Sequence, residues 1–205
     1  YIVGWAEFCD LKLAVDERVL IPRPETEELV QMILSQNDQN KHEVLDIGTG
    51  SGAIALALAQ KRNQWEITAS DLSENALELA QLNAKTHQLS LNFILSDVFE
   101  NISEQYDIIV SNPPYIAFDE TYEMDQSVIR FEPDGALFAE NQGLAIYQKI
   151  AEAAHQFLKP EGKIYLEIGY KQGSAVKDLF EKAFPTKKVR VHCDIFEKDR
   201  MISVT

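Results

Sequence analysis

The sequence predicts an α/β fold: a doubly wound, mostly parallel sheet of seven strands with an antiparallel edge hairpin, preceded by an N-terminal β-hairpin. Three observations carry this. From residue 43 onward, short apolar runs alternate with segments of helical period, the pattern that sets parallel strands between crossover helices. The last two apolar runs, Lys187–Asp194 and Met201–Thr205, are separated only by a short charged loop, so they pair antiparallel at an edge. The first twenty residues hold two strand-like runs about a turn near Cys9-Asp10. The second of these, Leu11-Lys12-Leu13-Ala14-Val15, alternates apolar and polar.

The elements follow in order. Ile21-Pro22-Arg23-Pro24 breaks regular structure, and Glu25-Thr26-Glu27-Glu28 opens a helix, with proline just before it and acids in the first turn where the dipole favours them. That helix runs to about Ser35. Glu43–Ile47 is a strand and Ser51–Lys61 a helix; Trp65–Ser70 is a strand and Ser73–Thr86 a helix. Leu91–Leu95 and Tyr106–Val110 are strands. A long irregular segment spans about 113–142. Gly143–Leu158 is a helix ended by Lys159-Pro160-Glu161-Gly162. Lys163–Ile168 is a strand and Gln172–Ala183 a helix.

Composition narrows the class. With 205 residues, 45% hydrophobic and 25% charged, the chain suits one ordinary globular domain. No apolar run approaches a membrane span, and no secretory signal is visible; a cytoplasmic protein is expected. Cys9 and Cys193, each in a β-like run, are expected to be buried reduced thiols, and no Cys/His spacing suggests a metal site. The net charge of −14 argues against a surface built for phosphate backbones. The chain begins Tyr1-Ile2-Val3 and already reads as strand there, so a preceding segment is expected.

Three motifs carry the chemistry. Val44-Leu45-Asp46-Ile47-Gly48-Thr49-Gly50-Ser51-Gly52 is a strand running into a glycine turn that opens a helix, where a ligand can approach the backbone and helix N–H groups. About twenty residues on, Asp71 ends the next strand and can accept from two ribose hydroxyls. Gly48, Gly50 and Ala53 also fit a dinucleotide fingerprint, so this motif alone leaves a dehydrogenase open; Asp46 inside it hints at S-adenosylmethionine. The second motif is Ser96-Asp97-Val98. Asp97 can accept from an adenine amino group and Val98 can cover the ring, although a capping Asp in a turn reads equally well. The third, Asn112-Pro113-Pro114-Tyr115 after the fourth strand, is the strongest. The prolines fix φ and remove two donors, so the Pro113 carbonyl and the Asn112 side-chain oxygen become two converging acceptors for an –NH2 group. Tyr115 can stack on the planar group behind it. Hydride transfer has no use for such a clamp.

Taken together, Ile21-Pro22-Arg23-Pro24-Glu25-Thr26-Glu27, Asp46-Ile47-Gly48-Thr49-Gly50-Ser51-Gly52, Ser111-Asn112-Pro113-Pro114-Tyr115-Ile116 and Arg130-Phe131-Glu132-Pro133 resemble the peptide-chain release factor glutamine methyltransferases (the HemK type). The resemblance runs along the whole chain. It implies a Rossmann-like class I S-adenosylmethionine-dependent methyltransferase fold and methylation of the glutamine in the Gly-Gly-Gln loop of class I release factors. S-adenosylhomocysteine would be the product, and no metal is expected to take part. It also implies a small helical domain before the catalytic one. Residues 1–24 would then be a hairpin and linker, and 25–205 the catalytic domain.

Carried over by residue, the resemblance implies cofactor binding at Gly48, Thr49, Gly50, Ser51, Gly52, Asp71, Val98 and Asn112, and Asp97 joins them as the adenine acceptor read above. It implies substrate binding at Asn112, Pro113, Pro114 and Tyr115, with Asn112, Pro113 and Tyr115 catalytic. At position 98 the chain departs from members with a large aromatic there, and Val98 covers only part of an adenine. Arg23-Pro24-Glu25-Thr26 resembles the loop at the mouth of the family's site and reads equally as a proline-opened helix start. Glu167, an acid inside an apolar strand, reads either as a site residue or as an edge-of-core carboxylate with a backbone partner.

The alternative reading is an adenine amino-methyltransferase acting on DNA or RNA, because the clamp suits any planar –NH2. Charge opposes it: between Asn112 and Gln142 the acids are Asp119, Glu120, Glu123, Asp125, Glu132, Asp134 and Glu140, and the only base is Arg130. No added target-recognition domain is expected within these 205 residues, and direct nucleic-acid or membrane binding is not expected. A fold kept as a mere binding module would show eroded Gly48–Gly52 or Asn112–Tyr115 stretches, and both are intact.

Overall fold

The computed structural model describes residues 4–116, 133, 137 and 139–205. The motif Arg130-Phe131-Glu132 and the rim residues between 119 and 134 lie outside the described residues; Pro133 and Glu140 are within them.

The expected seven-stranded sheet is present. It comprises β3 (Glu43–Ile47), β4 (Glu66–Asp71), β5 (Asn92–Leu95), β6 (Tyr106–Ser111), β7 (Leu158–Glu167), β8 (Val189–Cys193) and β9 (Asp199–Val204), in the order β5-β4-β3-β6-β7-β9-β8. The pairs from β5 to β7 are parallel, and β9 pairs antiparallel with both β7 and β8. Period-two burial splits the core between the two faces. Val44, Ile67, Ile108 and Val110 pack on one side with α1 (Pro24–Gln36) and α2 (Ala53–Lys61). Leu45, Ile109, Ile164 and Ile202 pack on the other with α4 (Ala145–Phe157) and α5 (Gly173–Ala183). Between these helices along the chain lies α3 (Glu74–Thr86), capped by Ser73, whose hydroxyl accepts from the Ala76 amide at 3.2 Å.

The hairpin of β1 (Trp5–Phe8) and β2 (Leu11–Ala14) forms a separate two-stranded sheet. Its turn residues Cys9 and Asp10 have φ of 48° and 69°, the pair of left-handed residues that a tight hairpin turn needs. Asn83 of α3 pins the hairpin. Its Oδ1 accepts from the Ala14 amide at 2.8 Å, and its Nδ2 donates to the carbonyls of Ala14 at 3.1 Å and Ser51 at 2.9 Å.

Two expectations change. Cys9 is a buried thiol, and burial pushes it up to about 12, but it sits in the turn rather than in a strand. Cys193 is exposed, because β8 is an edge strand and its pairing with β9 shifts between His192 and Cys193. Second, Lys159–Gly162 belongs to β7 rather than to a loop. Leu158 already pairs with Tyr106, and the register then jumps so that Lys163 pairs with Ile108. Proline and glycine signal a break, and here they mark an irregularity inside a strand. No helix of the described residues is long and apolar enough to cross a membrane.

Candidate active site

The sheet order reverses between β3 and β6: the chain winds outward through β4 and β5, then returns across to β6. Such a switch point leaves a crevice at the carboxyl ends of the strands. A cavity of about 420 Å³ lies there, lined by the turn after β3, the end of β4, the turn after β5, and the segment after β6. Two hydroxyls tie its walls together: Ser111 donates to the Ile47 carbonyl at 2.7 Å and Ser70 to the Asp46 carbonyl at 3.2 Å.

The glycine turn forms the floor. The amides of Gly48 and Thr49 both donate to the Ser70 carbonyl at 2.9 Å. Gly48 and Gly50 adopt φ of 72° and 56°, and a Cβ built on either would meet no protein atom within 4 Å. Open space therefore faces this backbone, while its conformation excludes ordinary side chains. Gly48, Thr49, Gly50 and Ser51 line the cavity. Gly52 does not; a Cβ there would stand 3.0 Å from Leu56 and 3.2 Å from Ala80, so its bareness serves the packing of α2 against α3.

Asp71 ends β4 at the rim. Its Oδ2 accepts from the Gly50 amide and its Oδ1 from the Ser73 amide, both at 2.9 Å. The carboxylate keeps lone-pair capacity for a further donor. Burial raises the Asp71 pKa, and the amides of Ser73, Gly50 and Leu72 oppose the shift. Asp97 also lines the cavity, and its carboxylate pairs with Lys149 at 2.7 Å. Val98 lines it in a left-handed conformation, φ 51°, which a β-branched residue rarely adopts. Ser96 holds this bend by donating to the Val98 carbonyl at 3.1 Å while accepting from the Asn101 amide at 3.0 Å.

Asn112, Pro113 and Pro114 also line the cavity, and Tyr115 is not among the lining residues. Its ring packs partly buried against the second core cluster, its carbonyl accepts from Gln172 at 2.9 Å, and burial pushes its phenol up to about 12. Beyond it, Ile116 pairs with Leu137 and Ala139 through two backbone hydrogen bonds of 3.0 Å.

These residues fit S-adenosylmethionine. The glycine floor leaves room that a side chain would fill, Asp71 and Asp97 offer acceptors for hydroxyl and amino groups, and Val98, Leu72, Ile54 and Ile146 supply apolar surface for a ring. Among the described residues no group of three His, Cys, Asp or Glu side chains could hold a metal ion.

Comparison with known proteins agrees with this geometry. Residues 25–135 match the family described as the methyltransferase small domain. A release factor glutamine methyltransferase from Lactococcus lactis is 68% identical over the whole chain, which covers 76% of that protein. The chain belongs to the release factor glutamine methyltransferase family. A second member, from Streptococcus pneumoniae, is 57% identical over the whole chain, with 73% of its length covered. A methyltransferase from Pyrococcus furiosus shares the fold at a TM-score of 0.71 and 19% identity, over 95% of this chain and 88% of that one.

In this release factor glutamine methyltransferase family member, the two stretches left open by sequence meet behind Asn112. Thr26 of α1 lines the cavity, and its hydroxyl donates to Glu167 Oε2 at 2.6 Å. Asn112 Nδ2 donates to the same Thr26 oxygen at 3.2 Å. Glu167 is 2% exposed at the end of β7 and stands behind Thr26 rather than on the cavity wall; its carboxylate partner is a side chain, not the backbone. The segment before α1 contributes Arg18, Val19, Leu20 and Pro22 to the lining. No motif marks the first three; only the break at Ile21–Pro24 placed a turn near them.

Asp46, at 0% exposure, lies beneath the floor and accepts from the Thr49 hydroxyl at 2.7 Å. Burial raises its pKa from 3.8 to about 7, against the Thr49 and Ala55 hydrogen bonds. The folded state therefore holds a proton that the unfolded chain has already lost. The associated stability is complete at low pH and drains away as pH rises towards about 7. Asp46→Asn stays neutral and escapes that loss. Its melting temperature relative to the parent should rise between about pH 5 and about pH 8 by at least roughly 2–4 °C, the shift that about 1 kcal/mol produces in a domain of this size. Parallel melting curves for both proteins across that range remove Asp46 as the cause.

Proposed function

We propose that this chain transfers a methyl group from S-adenosylmethionine to the side-chain amide nitrogen of the glutamine in the Gly-Gly-Gln motif of peptide-chain release factors. The observation that carries the reading is that Asn112-Pro113-Pro114, the glycine turn and Asp71 line one and the same cavity. Relatives at 68% and 57% identity bear the release factor glutamine methyltransferase name. When bound, S-adenosylmethionine supplies an electrophilic sulfonium methyl.

The protein's part is to make a poor nucleophile attack. An amide nitrogen is unreactive because its lone pair is delocalised into the carbonyl. Acceptors at Asn112 Oδ1 and the Pro113 carbonyl would take both N–H hydrogens, raise electron density on nitrogen and fix its direction. Orientation of this kind can supply up to about 7–11 kcal/mol of a barrier, and the same acceptors stabilise positive charge that develops on nitrogen. Pro114 keeps the turn rigid, and Tyr115 anchors that turn from behind, its ring against the core and its carbonyl accepting from Gln172 at 2.9 Å. Gly48, Thr49, Gly50, Ser51, Asp71, Asp97 and Val98 would hold the nucleoside.

In this reading residues 1–24 serve as hairpin and connector and 25–205 as the catalytic domain. The reaction belongs in the cytoplasm, where termination of translation takes place.

Incubation with labelled S-adenosylmethionine and an intact Lactococcus lactis class I release factor, followed by peptide mapping, is the test. Label should appear on the Gly-Gly-Gln glutamine alone. Label on adenine of added RNA or DNA, with the release factor unlabelled, would overturn the assignment.

A further inference from the structure

Asn112 can serve as an acceptor only if its oxygen, and not its nitrogen, faces the substrate. The two ends of a primary amide are nearly the same shape, so sterics cannot choose between them. Hydrogen bonding on the far side of Asn112 has to choose.

The structure supplies a polarised chain there. Thr26 has one hydroxyl proton, and it is committed to Glu167 Oε2 at 2.6 Å, a length typical of a hydroxyl bonded to a carboxylate. Only lone pairs of Thr26 then remain for Asn112, which must present its –NH2 at 3.2 Å and turn Oδ1 to the cavity. Thr26 and Glu167 are 3% and 2% exposed, so water does not compete for these bonds. They reach the site from 141 residues apart.

We propose that Glu167 is a positioning residue: through the Thr26 hydroxyl it decides which end of the Asn112 amide faces the acceptor nitrogen. This rests on the glutamine-amide reading above and adds to it a dependence on the charge of Glu167. While the carboxylate is ionised, the chain runs Asn112 –NH2 to Thr26 to Glu167. When it is protonated it can donate to Thr26 instead. The Thr26 proton then turns to Asn112, the amide inverts, and an –NH2 group opposes the N–H bonds of the substrate.

The surroundings set that balance. Burial raises Glu167 to about 7, Thr26, Arg200 of β9 and Asn112 pull it down, and Glu25 of α1 pushes it up. Tyr147 of α4 donates to the Glu167 backbone carbonyl at 2.7 Å and is held neutral by burial, as is the nearby Tyr115.

The test is the single-turnover methylation rate of a Lactococcus lactis release factor from about pH 5.5 to about pH 8.5, where a group of this kind titrates. The parent should lose rate below about pH 7 with unit slope. Glu167→Gln, which cannot ionise, should lack that limb while its S-adenosylmethionine affinity stays within about threefold. At the high-pH plateau Thr26→Val should fall by about tenfold, the worth of a hydrogen bond, and Thr26→Ser should restore the rate. A Glu167→Gln profile that keeps the same acidic limb, or Ser and Val variants of equal rate, would overturn the positioning role. If Glu167→Gln does not fold, the parent profile and the Thr26 pair still decide the matter. The reading of the clamp itself is separate: it fails only if Asn112→Ala keeps full turnover.

Discussion

Asn112→Ala lowers methyl transfer by at least about a hundredfold, the scale set by removing one preorganised group from an oxyanion hole, and leaves S-adenosylmethionine affinity within several-fold. Asn112 is held at its nitrogen end by Thr26 at 3.2 Å, so its side chain arrives at the cavity without an ordering cost at the moment of reaction. Its loss removes one of two acceptors, and a singly held amide is free to rotate its lone pair away from the methyl. A protein acceptor would bind through a far larger surface than one side chain, so the loss should appear in the chemical step and not in KM. Single-turnover kinetics beside calorimetry separate the two. A rise in KM with unchanged turnover would recast Asn112 as a binding group only.

The second large effect belongs to Asp71. Asp71→Ala should weaken S-adenosylmethionine binding by about 1.5–3 kcal/mol, the range for hydrogen bonds to a charged group, or roughly tenfold to 150-fold. Two causes combine. The variant loses the acceptors offered to the ribose, and it strips the Gly50 amide of its partner at 2.9 Å, loosening the floor. Asp71→Asn keeps one acceptor and should fall between the parent and Asp71→Ala. Calorimetric affinity equal to the parent in Asp71→Ala would take this residue out of the site.

How far the sequence carried depended on the range of the physics involved. Strand and helix alternation is local, so the sheet, its antiparallel edge and the N-terminal hairpin were all legible, with element ends moving by a residue or two. The irregularity in β7 was not, since Pro160 and Gly162 look the same in a loop and in a distorted strand. That the glycine turn, Asp71 and Asn112 gather at one cavity was legible because each follows a strand directly, and parallel strands bring such ends together. Gly52 was read as part of the glycine turn and Tyr115 as a stacking group, but neither lines the cavity: Gly52 faces helix packing and Tyr115 turns its ring towards the core. Glu167 and Thr26 were ambiguous for another reason. Their meaning lies in each other, and nothing local joins residues so far apart in the chain.

Asn83 gives the hairpin a share in whatever happens in the cavity. None of the residues of β1 or β2 lines the site. Yet one buried amide holds Ala14 by two hydrogen bonds and the Ser51 carbonyl of the floor by a third. An excursion that frees the hairpin strips this amide of partners and loosens Ser51 in the same event, so the two segments open as one cooperative unit. Ligand that occupies the floor adds its binding free energy to the work of that opening. Slow exchange of the Ala14 amide proton would then report on a cavity that the hairpin never touches.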